Sequence, residues 1–278
     1  MIPFDFDYYR PDTLAEAAQA FDEMQIQKKN PVYYGGGTEI ITMARTENIH
    51  TKAVIDLKKI PECRVLEIRD GKLIIGSGVT LTQITESKIY PLLEKACGRI
   101  ADHTVQGKIT IGGNIAGTIM YRETTLPLLL TDCEAVVAGN FGTRQVPFRD
   151  IFQERINLEN GEFLVQLIIN QDYLNLPYVH VKKTKNEKID YPLVSLAAIK
   201  KDGKIRVGLS GVCSFPFRSI QLEEALNNKS KSLEERISDA LMHLPTPILD
   251  NNVGSAKFRN YVLRNTLLNT LTTLEEAD

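Results

Sequence analysis

Apolar residues recur at helical spacing in four parts of the chain and cluster in short runs between them. The helical spacing predicts helices over residues 13–25, 90–101, 232–244 and 254–274. Capping boxes, in which Ser or Thr precedes Glu or Gln by three residues, mark helix starts at Thr13, Thr80 and Ser232. Five apolar side chains of the last helix are expected in the core: Phe258, Tyr261, Val262, Leu267 and Leu271.

Short apolar runs bounded by turn residues predict the strands. These runs are 31–34, 52–57, 65–68, 72–76, 134–138, 163–169, 178–182, 194–199 and 204–212. Asp70-Gly71 and Asp202-Gly203 each lie between two runs and predict hairpin turns. The last four runs are expected to be successive strands followed by two helices, which is an α+β layer pattern. This change of pattern places a domain boundary near residues 160–170.

Composition limits the class of protein. The chain has 278 residues, 43% of them apolar and 24% charged, which is typical of a globular protein with one large or two ordinary domains. A formal net charge of −2 argues against nucleic-acid binding, because phosphate backbones select clustered basic residues. No run approaches the roughly 20 apolar residues of a membrane span, and no secretion signal is visible. We therefore expect a cytoplasmic protein with no nucleic-acid partner and no membrane span.

The residues that most often carry metal or catalytic chemistry are dispersed. The four cysteines, Cys63, Cys97, Cys133 and Cys213, have no C-x-x-C spacing. This favours free thiols over an iron–sulfur or zinc site held by this chain alone. The four histidines form no H-x-H or H-E-x-x-H pair. The sequence predicts no metal site and no catalytic residue.

Two glycine-rich segments are the strongest candidates for ligand binding. They are Gly35-Gly36-Gly37-Thr38-Glu39-Ile40 and Thr110-Ile111-Gly112-Gly113-Asn114-Ile115-Ala116. Glycine lets the backbone approach a ligand closely, and successive N–H groups in such turns bind anions. Two such segments at one site would suit a ligand with two phosphates. The alternative is that both are tight turns, since neither matches G-x-G-x-x-G or the Walker A motif.

The two segments resemble the AGGTDL and TIGGNLA segments of the FAD-binding subunits of the molybdenum hydroxylases, the xanthine dehydrogenase and carbon monoxide dehydrogenase family. Further similar stretches are Tyr9-Arg10-Pro11, residues 128–134, residues 162–164, Val181-Lys182, residues 210–212 and Phe258-Arg259. The chain resembles a divergent branch of this family that is found beside purine or xanthine hydroxylases. The resemblance implies an α+β fold: a vanillyl-alcohol-oxidase (PCMH-type) FAD-binding domain over residues 1–162, then a carbon-monoxide-dehydrogenase-flavoprotein-type domain over 163–278. The first would have subdomains of about 1–56 and 57–162.

The resemblance also implies roles for individual residues around FAD. Lys182 would lie near the pyrimidine edge of the flavin and stabilise its reduced, anionic form; the alternative is an exposed strand lysine beside Lys183 and Lys185. Glu123 would hydrogen-bond ribityl or ribose hydroxyls, and Leu164 would lie against the adenine or the flavin. The remaining residues would surround the diphosphate, with Thr110 adding a hydroxyl contact: Gly35, Gly36, Gly37, Thr38, Glu39, Thr110, Gly112, Gly113 and Asn114.

The chain departs from the family pattern in two places. Gln106-Gly107 stands where the family has Arg-Asn before its second glycine segment. Residues 119–123 replace a stretch of small residues, and the resemblance places the bulky Tyr121 and Arg122 near the cofactor. There they would reshape the exposed edge of the flavin or stack on it.

By this resemblance the chain would be the FAD-binding, electron-transfer subunit of a molybdopterin-dependent hydroxylase, an oxidoreductase flavoprotein. A molybdopterin-binding large subunit would oxidise the substrate, and a 2Fe–2S small subunit would pass electrons to FAD and on to NAD or another acceptor. One alternative, motivated by the two departures, is a scaffold subunit that has lost FAD. Another is a stand-alone flavin reductase or oxidase of the same superfamily, although no acid or base for a substrate stands out.

Overall fold

The structure, a computed structural model, describes residues 2–277 and divides them into two compact units. The first unit runs as far as Glu86 and also contains His103–Gly117 and Asp132–Gln171. The second contains Ser87–Asp102, Thr118–Thr131 and the residues from Asp172 onward. The two units are therefore interleaved along the chain, with their last division after Gln171, nine residues beyond the boundary of 162 expected from the sequence.

Strands and helices are distributed over both units. The strands are β1 Asp7–Tyr9, β2 Val32–Tyr34, β3 Ala53–Asp56, β4 Leu66–Arg69, β5 Lys72–Gly76, β6 Glu134–Gly139, β7 Gly142–Pro147, β8 Phe163–Asn170, β9 Tyr178–Thr184, β10 Pro192–Lys201, β11 Lys204–Ser210 and β12 Phe217–Arg218. The helices are α1 Leu14–Ile26, α2 Thr38–Arg45, α3 Leu81–Ser87, α4 Pro91–Cys97, α5 His103–Gln106, α6 Ile111–Ala116, α7 Thr125–Leu130, α8 Phe148–Ile151, α9 Ile220–Leu226, α10 Leu233–Leu241 and α11 Ala256–Glu276.

A three-stranded parallel sheet in the order β1-β3-β2 opens the first unit. Helix α1 packs its Ala17, Ala20 and Phe21 against this unit's core. The helix starts at the predicted cap, where the Thr13 hydroxyl accepts from the Glu16 N–H. In a full capping box the Glu16 carboxylate would accept from the N–H of Thr13. Here it accepts from the N–H of Asp12, one residue earlier. Strand β2 of this sheet ends at Tyr34, and the first glycine segment begins at the next residue.

An antiparallel sheet in the order β4-β5-β8-β6-β7 completes the first unit. The predicted hairpin at Asp70-Gly71 is confirmed, and both residues have positive φ, as a two-residue hairpin turn requires. Strand β8 lies between β5 and β6, whereas the sequence grouped residues 163–169 with the strands that follow. This grouping was wrong because strand pairing here is non-local: β8 pairs with segments roughly 30 and 95 residues earlier in the chain.

The second unit contains an antiparallel sheet in the order β12-β11-β10-β9 with helices α9, α10 and α11. The predicted Asp202-Gly203 hairpin and the capping box at Ser232 are confirmed. In α11, Leu267 and Leu271 are buried as predicted. Phe258 and Tyr261 are instead 50% and 65% exposed, because the buried stripe of α11 runs along a different face. The members of that stripe are Arg259, Leu263, Thr266, Leu267, Thr270, Leu271 and Leu274.

The cysteines match the expectation of free thiols. Cys63, Cys97, Cys133 and Cys213 are buried and form no disulfide. Burial raises the pKa of the Cys63 thiol to about 11, which keeps it protonated and unreactive at neutral pH. No helix in residues 2–277 is both long and apolar enough to cross a membrane.

Candidate functional site

The first glycine segment joins β2 to α2 in the first unit, and its geometry requires glycine. Gly37 caps α2 in the left-handed region at φ 72°, and a Cβ there would lie 2.0 Å from the Tyr34 ring. A Cβ on Gly36 would lie 1.6 Å from the Lys108 carbonyl oxygen, far inside van der Waals contact. A side chain at Gly36 would therefore displace the backbone, and one at Gly37 would strain its φ and displace the Tyr34 ring.

The structure brings the two glycine segments together within the first unit. A Cβ on Gly35 would lie 2.5 Å from the Thr110 hydroxyl, so Gly35 packs directly on the residue that begins the second segment. Gly117, just after that segment, is close to Glu39, since a Cβ there would lie 2.9 Å from its Oε2. The two segments thus line one region, as expected of segments that serve one site.

The backbone N–H groups of the first segment are available to a ligand. Within residues 2–277, the four N–H groups from Gly35 to Thr38 donate no hydrogen bond. Successive unbonded N–H groups at the start of a helix attract an anion, and the helix dipole adds to the attraction. The expectation of an anion-binding segment from the sequence therefore agrees with the geometry at 35–38.

The second segment is different, and here the expectation of free N–H groups was wrong. It forms the short helix α6, capped by Thr110, whose Oγ1 accepts from the Gly113 N–H at 3.1 Å. The Gly112 N–H donates to the Ser77 carbonyl and the Asn114 N–H donates to the Thr110 carbonyl, both at 2.9 Å. A Cβ on Gly112 would lie 2.6 Å from the Ser77 Cβ. These glycines therefore allow close packing rather than offer N–H donors.

A charged network beside the first segment was missed by sequence reasoning. Lys58 Nζ donates to the Gly35 carbonyl at 2.7 Å and to both carboxylate oxygens of Asp56 at 2.9 Å. The Tyr8 hydroxyl also donates to Asp56. Burial alone would raise the pKa of Asp56, but the hydrogen bonds from Tyr8 and Lys58 outweigh it and lower the pKa. A signal was present, since Asp56 and Lys58 lie at the end of a predicted strand.

The same network acts on the Tyr8 phenol. Burial and the hydrogen bond to Asp56 raise the pKa of Tyr8 to about 12. Tyr8 therefore stays a neutral donor throughout the physiological range, and the Asp56 carboxylate stays charged. The network therefore keeps a single protonation state around neutral pH.

Leu164 also lies in the first unit. It is buried on β8, where it pairs with Val137 of β6. The first unit thus holds most of the residues predicted to bind FAD: Gly35, Gly36, Gly37, Thr38, Glu39, Thr110, Gly112, Gly113, Asn114 and Leu164. Glu123 and Lys182 lie in the second unit.

In the second unit, Glu123 and Lys182 form a buried ion pair. Lys182 Nζ lies 2.7 Å from Glu123 Oε2 and donates to the Arg99 carbonyl at 2.8 Å. The two side chains are only 1% (Lys182) and 4% (Glu123) exposed. The alternative of an exposed strand lysine is therefore wrong. Burial raises the pKa of Glu123, and the neighbouring Lys182 acts in the opposite direction.

Other polar groups share the surroundings of this pair. Ser195 of β10 lies opposite Lys182 of β9, so both side chains project from the same face of the sheet. His180, two residues earlier on β9, lies on that face as well. Burial, together with the charges of Arg99, Lys182 and Lys95, lowers the pKa of His180 to about 4, so it is neutral at physiological pH. Lys182 is therefore the cation that compensates Glu123.

The segment that departs from the family pattern is packed inside the second unit. Tyr121 stacks on Tyr191 with ring centroids 4.8 Å apart, and its carbonyl accepts from the Ser210 hydroxyl at 2.6 Å. Arg122 is buried and has a positive φ of 26°, a conformation that arginine rarely adopts. Gln106, in the other departure, is buried in the first unit. The bulky residues are thus built into the fold.

Comparison with known proteins places the chain in a family. A family model described as the FAD-binding domain of molybdopterin dehydrogenase matches residues 4–171, more than half of the chain. The chain belongs to this family of flavin-binding oxidoreductase subunits. It is 26% identical to the xanthine dehydrogenase FAD-binding subunit of Escherichia coli O157:H7, with 88% of each chain covered. It is 24% identical to the nicotinate dehydrogenase FAD-subunit of Eubacterium barkeri, covering 90% of this chain and 86% of the relative.

Solved structures share the fold over nearly the whole chain. A chain of carbon monoxide dehydrogenase from Hydrogenophaga pseudoflava superposes with a TM-score of 0.87 at 22% identity, covering 99% of this chain and 98% of that one. A chain of quinoline 2-oxidoreductase from Pseudomonas putida 86 gives 0.86 at 21% identity, with the same coverage. The predicted α+β fold, the family and FAD as its cofactor are confirmed.

Proposed function

We propose that the chain is the electron-transfer subunit of a molybdopterin-dependent dehydrogenase or hydroxylase. A 2Fe–2S subunit would pass electrons to FAD on this chain, and a molybdopterin-binding subunit would oxidise the substrate. The acceptor would be NAD or another oxidant. When bound, FAD supplies electron exchange, and the protein supplies its orientation and electrostatic surroundings. The names of the relatives support this, since they are FAD-binding subunits or medium chains of xanthine, nicotinate and carbon monoxide dehydrogenases.

We further propose that the first glycine segment binds the diphosphate of FAD. One observation carries this assignment: the N–H groups from Gly35 to Thr38 are unbonded and lie within the part matched by the FAD-binding family. The residues present therefore fit a diphosphate. The second segment, including Gly112, Gly113 and Asn114, would shape the site by packing, because its N–H groups are already bonded.

Two further assignments concern the flavin and adenine ends of FAD. We propose that the Lys182–Glu123 pair contributes the electrostatic surroundings of the flavin, and that Leu164 contributes an apolar contact. The burial of the pair supports this role, because charges act more strongly on a cofactor when water does not screen them.

The first test is the cofactor content of the purified chain. We expect a yellow protein that releases about one FAD per chain on denaturation, measured by absorbance and chromatography of the supernatant. Chain stripped of FAD should regain it from solution. A colourless chain that takes up no FAD would instead favour the scaffold alternative.

The second test concerns the electron route and uses the purified complex. Reduction of this chain's flavin by the substrate of the complex should require both the molybdopterin-binding and the 2Fe–2S subunits. Omission of the 2Fe–2S subunit serves as the control and should abolish the bleaching of the flavin absorbance. Bleaching of equal rate without that subunit would contradict the proposed route and favour a stand-alone flavoenzyme.

A further inference from the structure

We propose that Lys58 is a positioning residue, which orients the first glycine segment for the diphosphate of FAD without taking part in redox chemistry. The inference rests on the proposed diphosphate-binding role of that segment. Lys58 lies in the short turn Leu57–Lys59 that follows β3. Its Nζ donates to the Gly35 carbonyl at 2.7 Å, which is the contact that links it to the segment.

Lys58 is itself held in place by Asp56. Both carboxylate oxygens accept from Lys58 Nζ at 2.9 Å, and one also accepts from the Lys58 N–H at the same distance. The Tyr8 hydroxyl donates to the same carboxylate. The Asp56 side chain is 5% exposed and that of Lys58 is 35% exposed, so a buried anchor fixes a partly exposed amine. This arrangement connects β1 and β3 to the glycine segment.

Lys58 also contacts Tyr34, the residue immediately before the segment. Its Nζ lies 4.5 Å from the centroid of the Tyr34 ring, within range of a cation–π interaction. The same ring lies against Gly37, where an added Cβ would overlap it at 2.0 Å. The Lys58 amine therefore contacts the Gly35 carbonyl at the start of the segment and the Tyr34 ring, which packs on Gly37 at its end.

The consequence for the N–H groups follows from the planarity of the peptide bond. The Gly35 carbonyl and the Gly36 N–H belong to one rigid peptide plane and point in opposite directions. A hydrogen bond to the carbonyl therefore also fixes the direction of the Gly36 N–H, which is one of the unbonded donors. Three consecutive glycines would otherwise sample many conformations, and ordering them would weaken binding. Lys58 thus orders the segment before the ligand arrives.

The experiment compares FAD affinity of the full chain, stripped of FAD and titrated, in wild type, Lys58→Met and Lys59→Met. Lys58→Met should weaken FAD binding by about 10- to 100-fold, the range for loss of a charged hydrogen bond that orients a site. Lys59→Met is the matched control, because Lys59 is adjacent and pairs with Asp12 at 2.5 Å instead. It should bind FAD within about twofold of wild type.

Two further readouts separate positioning from general destabilisation and from contact with the flavin. The melting temperature of the FAD-free chain should change by no more than about 3 °C in Lys58→Met, because the buried Asp56 carboxylate still accepts from the Tyr8 hydroxyl and from the backbone N–H of residue 58. The reduction potential of bound FAD should be unchanged, since the effect acts on the diphosphate, and Lys58→Arg should recover most of the affinity.

The outcomes distinguish this inference from the function on which it rests. Wild-type chain that binds no FAD would contradict the proposed function itself. Wild-type and Lys58→Met chains with equal FAD affinity would overturn the role of Lys58 alone. A loss of affinity that follows the melting temperature, or that appears equally in Lys59→Met, would also overturn it. A changed potential would place Lys58 at the flavin instead.

Discussion

Lys182→Met is expected to destabilise the chain by about 3–5 kcal/mol, because it leaves the Glu123 carboxylate buried without its cation. Methionine keeps a similar length and apolar stem, so the loss reports the missing charge more than a cavity. The measurement is the free energy of unfolding from urea denaturation at neutral pH. Lys183→Met on the same strand is the matched control, since Lys183 is exposed, and it should change stability by less than about 0.5 kcal/mol.

The loss of stability in Lys182→Met should depend on pH. Burial raises the pKa of Glu123, and removing Lys182 removes the charge that opposes that effect. In Lys182→Met the folded state therefore binds a proton at Glu123 more readily than the unfolded state does. Stability must then fall as the pH rises from the ordinary carboxyl range to the higher pKa of the folded state. We expect the deficit of the variant to be smaller near pH 5 than near pH 8.

Companion variants test whether the pair itself matters. Glu123→Gln combined with Lys182→Met should be less destabilised than Lys182→Met alone, because no unpaired charge remains. If the pair also lies near the flavin as proposed, Lys182→Met should lower the reduction potential and Glu123→Gln should raise it. Lys182→Met as stable as Lys183→Met would contradict the burial argument, and unchanged potentials would separate the pair from the flavin.

Local features of the fold could be predicted from the sequence because their causes are local. Asp70-Gly71 predicts the hairpin turn because both residue types tolerate the positive φ that the turn requires. The capping box at Ser232 is predicted by two side chains only three residues apart. The buried face of α11 was harder to predict. Phe258 and Tyr261 are apolar, yet the stripe that packs on the sheet is set by tertiary contacts and includes the buried Arg259.

The candidate site could be predicted only in part, for related reasons. The glycine segments stand out in the sequence because consecutive glycines are uncommon. The sequence does not reveal which of their N–H groups already donate hydrogen bonds. The bonds from Gly112 to Ser77 and from Gly113 to Thr110 depend on how α6 packs. Likewise the burial of Lys182 depends on Glu123, far away in the chain. Pairings of this kind arise from the tertiary fold.

Gly36→Ala is expected to impair both folding and FAD uptake, because the new Cβ would lie 1.6 Å from the Lys108 carbonyl oxygen. The obstacle is backbone, so no side-chain rotation can relieve it, and the two glycine segments must move apart. Such overpacking typically costs about 1–3 kcal/mol of stability. The same displacement would misplace the unbonded N–H groups from Gly35 to Thr38, so we expect FAD affinity to fall about tenfold or more.

Gly107→Ala is the matched control for that substitution. Gly107 lies next to Lys108, but a Cβ there would meet its nearest neighbour, the Thr104 carbonyl oxygen, at an ordinary 3.5 Å. It should therefore leave the melting temperature and FAD titration of the full chain close to wild type. If Gly36→Ala binds FAD as tightly as Gly107→Ala, close contact between the segments is not needed for the cofactor. If both properties fall in Gly36→Ala alone, the approach of residue 36 to the Lys108 carbonyl is what holds the diphosphate-binding segment in place.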